Sequence, residues 1–407
     1  MTHSPAFDGL FSSTRRRLVT TGAIAAGSGL GLRSIAKAGS RRPVAALLSR
    51  QQAAIPVSPA TAESIAQIGQ SSLDDLGLRS VILRVVMDGE ELVTAAFGES
   101  LPGVPATPEM HFRNGAVAIS YLPDADKVTL RMLSNMTSGY PDYVYDTDFI
   151  SRLYTDPLRQ VTQSEQIETA LKAPRLFAPG TNWEYSHTNC VLLGKAIEIM
   201  TGQPMTELMD RWILGPLKLT NTTGSSTPSI PAPILHAYSS ERWPTLGIDP
   251  TIPFIEESTF WNPSWTLAQG TVQTTNIFDM TASAIAIGEG TLLSAESHAA
   301  QVAPSLIGFG APLDGCTSCQ TMSDRFSYGL GVVLAGPWVL QNPMFSGFAA
   351  TEGYLASHKI AIAVSTTFQE SSFDEQGNSI HGNASTVIFR AIADALVPEL
   401  ATPAATS

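Results

Sequence analysis

The chain has 407 residues, 43% of them hydrophobic and 15% charged, with a formal net charge of -12. That length and apolar content describe a globular chain with a sizeable core and exclude a disordered one. The acidic balance, with no basic stripe among aromatics, argues against nucleic acid and anionic lipid as partners.

Residues 1–38 read as an export signal. Arg15, Arg16 and Arg17 precede a short run of small apolar residues from Leu18 to Leu32, and Ala36-Lys37-Ala38 offers a small-x-small cleavage site. The arginine pair points to the twin-arginine route. The run falls short of the roughly 20 apolar residues that span a bilayer, and Arg33 ends it. With the signal removed no transmembrane span is expected, and the product belongs in the periplasm, envelope or surroundings of a bacterium. Residues 39–60 read as a linker, 61–397 as one folded domain and 398–407 as a disordered tail.

Within the domain, "SVILRVVMDGEELVTAAFGE" has two apolar runs around Asp88-Gly89, which predicts a hairpin. "VTLRMLSNMTSGYPDY" predicts a helix ending near Thr137 to Gly139. Val191, Leu192, Ala196, Ile197 and Met200 share one helical face, closed by Gly202, and "MTELMDRWILGPL" predicts a further amphipathic helix. Residues 224–265 predict a long ordered loop with Trp243, Phe254, Phe260, Trp261 and Trp265. "FDMTASAIAIG" is a helix, residues 326–368 return to strand, and "ASTVIFRAIADAL" is a last helix. Strands at 80–98 and 326–368 around helices at about 110–300 predict an α/β (α+β) unit with an inserted helical lobe. Cys316 and Cys319 sit in a loop-like stretch and read as a local disulfide or two thiols. Zinc would need two more ligands where only Cys190 remains, and the seven histidines lack ligand spacing. No metal or cofactor is expected.

Several landmarks together carry a family resemblance: "LSNMTSGYPDY", "FAPGTNWEYSHTNCVLLGKAIEIMTGQP", "GTVQTTNIFDM" and "GYLASHKIAIAVSTTF". The chain resembles the serine β-lactamase and penicillin-binding-protein superfamily, in its branch of class C β-lactamases, D-alanyl-D-alanine carboxypeptidases and esterases. The resemblance implies a β-lactamase/transpeptidase-like fold, an antiparallel sheet flanked by helices. It also implies serine chemistry at three clusters: Ser-x-x-Lys, Tyr-x-Asn, and Lys-Thr-Gly or His-x-Gly.

All three clusters are altered. In "FRNGAVAISYLP" the nucleophile position is Ala116 and the lysine position Ile119; the only literal Ser-x-x-Lys, Ser34 to Lys37, lies in the leader. Tyr185 keeps the family tyrosine, but the asparagine position is His187, read either as a substitute base or as a polar residue at a loop–helix junction. The His-x-Gly aligns with Phe345-Ser346-Gly347, where Gly347 keeps the close backbone approach a bound ligand requires. Only 13 residues, Pro123 among them, separate Ile119 from Leu133, so the helix that supports the nucleophile is truncated to about one turn.

The reading is an exported homologue, catalytically inactive or impaired, that binds a small molecule or cell-wall peptide. Trp243, Trp261 and Trp265 are candidate walls, with loop packing as the alternative. A second reading is an active hydrolase using a displaced serine, Ser120 foremost, with Tyr185; Ser186 and Ser346 have no base at a recognisable spacing. A third is a deletion product without function.

Overall fold

The computed structural model describes residues 59–115, 127–249, 251–374 and 376–400, all within one unit, Ile55–Ser407. Helix α1 (Pro59–Asp75) leads into strands β1 (Leu78–Met87) and β2 (Glu90–Leu101), followed by short strands β3 (Val104–Pro105) and β4 (Phe112–Gly115). After the description resumes at Lys127 come α2 (Leu130–Ser134), α3 (Thr147–Thr155), α4 (Gln163–Ala170), α5 (His187–Thr201), α6 (Met205–Met209) and α7 (Gly215–Leu217). The middle of the chain holds β5 (Thr223–Ser225), β6 (Tyr238–Ser239), α8 (Trp243–Leu246), β7 (Glu256–Glu257), β8 (Val272–Thr275), α9 (Ile277–Glu289) and α10 (Ala295–Gln301). The last third comprises β9 (Ser327–Tyr328), β10 (Val333–Ala335), β11 (Trp338–Gln341), β12 (Met344–Phe345), β13 (Phe348–Leu355), β14 (Ile360–Phe368) and α11 (Ala384–Leu396).

The main sheet has nine strands in the order β3-β2-β1-β14-β13-β11-β10-β9, with β12 against β13, and its pairings are antiparallel. Asp88 and Gly89 both have positive φ, 47° and 82°, as the hairpin signal predicts. β13 and β14 are buried along their whole length, apolar for the most part but with Thr351, Glu352, Ser365, Thr366 and Thr367 buried among them. Alternation sends Val81, Leu83, Val85, Ile362 and Val364 into one core with Ile65 of α1 and Ile388, Phe389 and Ile392 of α11. Ile82, Phe348, Ala350 and Ala363 face the other way, onto Ile277 and Met280 of α9. The antiparallel sheet flanked by helices, expected from the sequence, is present.

Two local predictions change. The helix expected to run to Thr137–Gly139 ends at Ser134, because Met136 turns left-handed at φ 64°. "MTELMDRWILGPL" is not one α-helix: residues 210–214 form a π turn in which the Gly215 N–H bonds the Asp210 carbonyl. Pro216 follows at once, and its missing N–H and its ring break the regular ladder there. Cys316 and Cys319 form a disulfide, and Cys190 is free and buried. Residues 398–400 of the expected tail form a 3-10 turn. Among the described residues no helix is long and apolar enough to cross a membrane.

Candidate functional site

The first cluster is approached by β4, which pairs with β8 from Phe112↔Thr275 to Gly115↔Val272. Phe112 is buried, and so is Arg113, whose guanidinium donates to Ser225 Oγ at 3.0 Å and the Pro228 carbonyl at 2.9 Å. Among the described residues no carboxylate bonds it, and burial lowers its pKa to about 10. Arg113 therefore clamps the 225–228 segment to the strand. Ala116, Ile119 and Ser120 lie outside the described residues.

The second cluster is built where residues 136–143 meet the start of α5. Gly139 (φ 78°) is required by a close approach: a Cβ there would stand 2.1 Å from the Phe177 carbonyl oxygen. The turn it allows delivers Asp142, whose side chain is only 1% exposed. Asp142 Oδ2 accepts the His187 backbone N–H at 3.0 Å and lies 2.8 Å from His187 Nδ1. Asp142 thus caps α5, while Ser186, at the N-cap position, makes no side-chain cap bond and its Oγ finds no partner among the described residues. With Asp142 Oδ2 as the acceptor, Nδ1 carries the proton, and the His187 side chain is 27% exposed. Burial depresses the His187 pKa, but the charge of Asp142 and its hydrogen bond outweigh this and the net shift is upward.

Tyr185 stands edge-on to His187, ring centroids 5.2 Å apart, with Tyr143 and Tyr328 at 6.3 Å from His187 and 6.4 Å from Tyr185 respectively. Burial pushes the Tyr185 phenol well above its ordinary value, and Cys190, Tyr328, Asp142 and Tyr143 push the same way. Burial likewise pushes the Cys190 thiol up. Glu184, next in sequence, is 3% exposed; Oε2 has no partner among the described residues, and burial, then the charge of Asp142, raises its pKa to about 7.

The third cluster is not the expected ligand-binding strand edge. Ser346 and Gly347 are the two turn residues between β12 and β13, with φ 53° and 81°, a tight hairpin turn. Phe345 is buried and belongs to the main core. Gly347 lines a cavity beside this turn, but its own backbone is closely packed. A Cβ there would lie 2.3 Å from the Tyr238 carbonyl oxygen and 2.7 Å from Ser258 Oγ, so the close approach is made by the chain itself. Ser258 Oγ also donates to the Ser346 carbonyl at 2.6 Å.

The tryptophans divide. Trp265 belongs with the second cluster, since its carbonyl accepts the Tyr143 hydroxyl at 2.7 Å. Trp243 packs on Phe254 at 6.4 Å, and Trp261 on Tyr154 at 6.3 Å, away from that cluster's hydrogen bonds. The structure thus gathers Tyr185, His187 and Trp265. It adds Asp142, Tyr143 and Glu184, which the sequence did not single out. The one signal for Asp142 was its place in "GYPDY", a turn motif just after a helix-ending glycine. Among the described residues no group of three or more His, Cys, Asp or Glu is arranged to hold a metal ion.

A profile of the beta-lactamase family matches residues 117–382. The chain belongs to the beta-lactamase family. Solved structures agree on the fold of this beta-lactamase family member. A D-amino acid amidase from Ochrobactrum anthropi SV3, complexed with L-phenylalanine amide, superposes with a TM-score of 0.66 at 19% identity, covering 84% of this chain and 99% of that one. A D-stereospecific amidohydrolase from Streptomyces sp. gives 0.63 at 19% identity over 82% and 98%. A penicillin binding protein from Bacillus halodurans gives 0.53 at 16% identity over 74% and 94%.

Proposed function

We propose that this family member is an exported binding protein for a cell-envelope peptide, ester or amide, and that acyl transfer through the family's serine chemistry is absent or strongly impaired. The carrying observation is the replacement of the serine and lysine of the family motif by Ala116 and Ile119, side chains that can neither attack a carbonyl nor take a proton. Burial pushes the Tyr185 phenol up, which disfavours it as a base, and Phe345 is turned into the core; both support the same reading. The amidase related in fold was captured with L-phenylalanine amide, so amino-acid amides are the first ligands to try. The test is intact-mass spectrometry of the folded protein after exposure to a β-lactam and, separately, a fluorophosphonate. No adduct, with a thermal shift on adding an amino-acid amide, is the expected result. A stoichiometric adduct would sink the proposal.

One observation favours a second reading, an active hydrolase. His187 Nδ1 rests 2.8 Å from Asp142, which leaves Nε2 oriented as a base for a serine brought to it. Peptide mapping of an adduct to Ser120, abolished by His187→Ala, would establish that reading instead.

A further inference from the structure

A cavity of about 320 Å³ lies beside the β12–β13 turn, between α3 and the segment that follows β14. Its apolar walls are Met344, Phe368 and Phe373, the two rings crossing at 63° with centroids 5.7 Å apart. Among the described residues its ionisable groups are Glu241 and Tyr154, with no lysine, arginine or histidine in the lining. The Glu241 backbone N–H donates to Ser239 Oγ at 3.1 Å, and its carboxylate lines the cavity beside the Tyr154 side chain. Asn378 and Ser379 also line the cavity, but their side chains are engaged elsewhere, by Asp374 and by the Gly382 carbonyl.

Among the described residues, Arg242, next in sequence, is not paired with Glu241. Arg242 is spent on Glu256 at 2.8 Å and on the Tyr154 carbonyl at 2.5 Å. Asp374, just outside the lining, adds a second carboxylate; the Gln376 and Asn378 backbone N–H groups bond it.

From this arrangement we infer that the cavity is a subsite for a small organic cation, a primary ammonium on an apolar body about one ring in size. The ammonium meets the carboxylate of Glu241 where it lines the cavity. The ring packs against Phe368 and Phe373, whose faces also attract positive charge. Burial raises the Glu241 pKa to about 7, so an entering cation stabilises the ionised form that the empty cavity disfavours. The subsite goes beyond the binding reading above and does not depend on whether acyl transfer survives.

The experiment is isothermal titration calorimetry on the full chain at pH 8 with three isosteres: 2-phenylethylamine, 2-phenylethanol and 3-phenylpropionate. The amine is expected to bind saturably at one site and the anion at least ten-fold more weakly. Glu241→Gln should weaken the amine at least ten-fold while leaving the alcohol within three-fold, and Phe373→Ala should weaken both. Equal binding of amine and anion, or no saturable amine binding to protein that melts cooperatively, overturns the inference. A Glu241→Gln variant that fails to fold hands the decision to the isosteres and Phe373→Ala. A Phe-Gly amide binding more tightly than 2-phenylethylamine assigns a peptide N-terminus as the source of the cation; weaker binding assigns a free amine. A fluorophosphonate adduct, by contrast, would overturn the reading of impaired acyl transfer and leave this subsite standing.

Discussion

Asp142 accepts from both the backbone and the ring of one residue, and that economy makes His187 expensive to remove. His187→Ala leaves a buried carboxylate without its charged partner and is expected to cost about 1–3 kcal/mol at pH 6. The folded-state pKa of His187 is raised, so its contribution is full below its ordinary value of 6.5 and is lost as pH rises through the folded value. Urea denaturation of wild type and variant should therefore show a larger difference at pH 6 than at pH 8. Glu184 acts in the same window. Its pKa rises from 4.5 to about 7, so the folded state prefers the neutral acid, and stability falls as pH climbs from 4.5 through 7. Glu184→Gln should flatten that decline, gaining at most about 3 kcal/mol at pH 8 and little at pH 5, read from the same denaturation curves. Tyr185 and His187 were legible in the sequence because they sit inside a recognisable run, "NWEYSHTN". Asp142 was not, because its role exists only through a contact with a residue 45 positions away. Glu241 and Tyr154 are likewise joined only by the fold.

Among the elements, those with strong local signals were legible and those shaped by neighbours were not. α11 runs from Ala384 to Leu396, the bounds its apolar spacing implies, and Asn383 caps it by accepting the Thr386 N–H. The same Asn383 donates to the Asn342 carbonyl at 2.8 Å, tying the helix start to the turn before β12. Asn383→Ala is expected to lose about 1–2 kcal/mol in urea denaturation, the upper half of the range for a cap, since both bonds go together. α1 gave no such signal. Its apolar face is narrow, and Gly69 in mid-helix reads as a breaker. Gly69 is there because a Cβ would stand 2.6 Å from Leu83 and Phe97, so the sheet lies directly on the helix axis. Gly288 of α9 does the same against Tyr354, where a Cβ would come within 2.1 Å of the ring. Gly288→Ala should destabilise by about 1–3 kcal/mol in the same assay despite the better helix propensity of alanine.

At the scale of the whole molecule, stability rests on the two-sided core of the central sheet. The Cys316–Cys319 disulfide closes only a short loop, so reduction should lower stability by no more than about 2 kcal/mol and leave a single cooperative melt. A melt that splits or collapses on reduction would show that the 303–322 segment carries more of the fold than its packing indicates. The antiparallel sheet with helices on both faces was legible because strand, helix and turn signals agree along residues 80–100 and 326–396. The pairing of β1 with β14 bears on the order in which the chain is made. Leu78 meets Phe368 and Met87 meets Ile360 at the middle of the sheet. A ribosome delivers β1 about 280 residues before its partner, so at roughly 5–20 residues per second it waits tens of seconds. Until β14 emerges, β1 has only β2 and α1 for company and one bare, apolar edge. The growing chain therefore carries that open edge for most of its synthesis, and a product stopped anywhere before residue 360 lacks the strand that closes its centre.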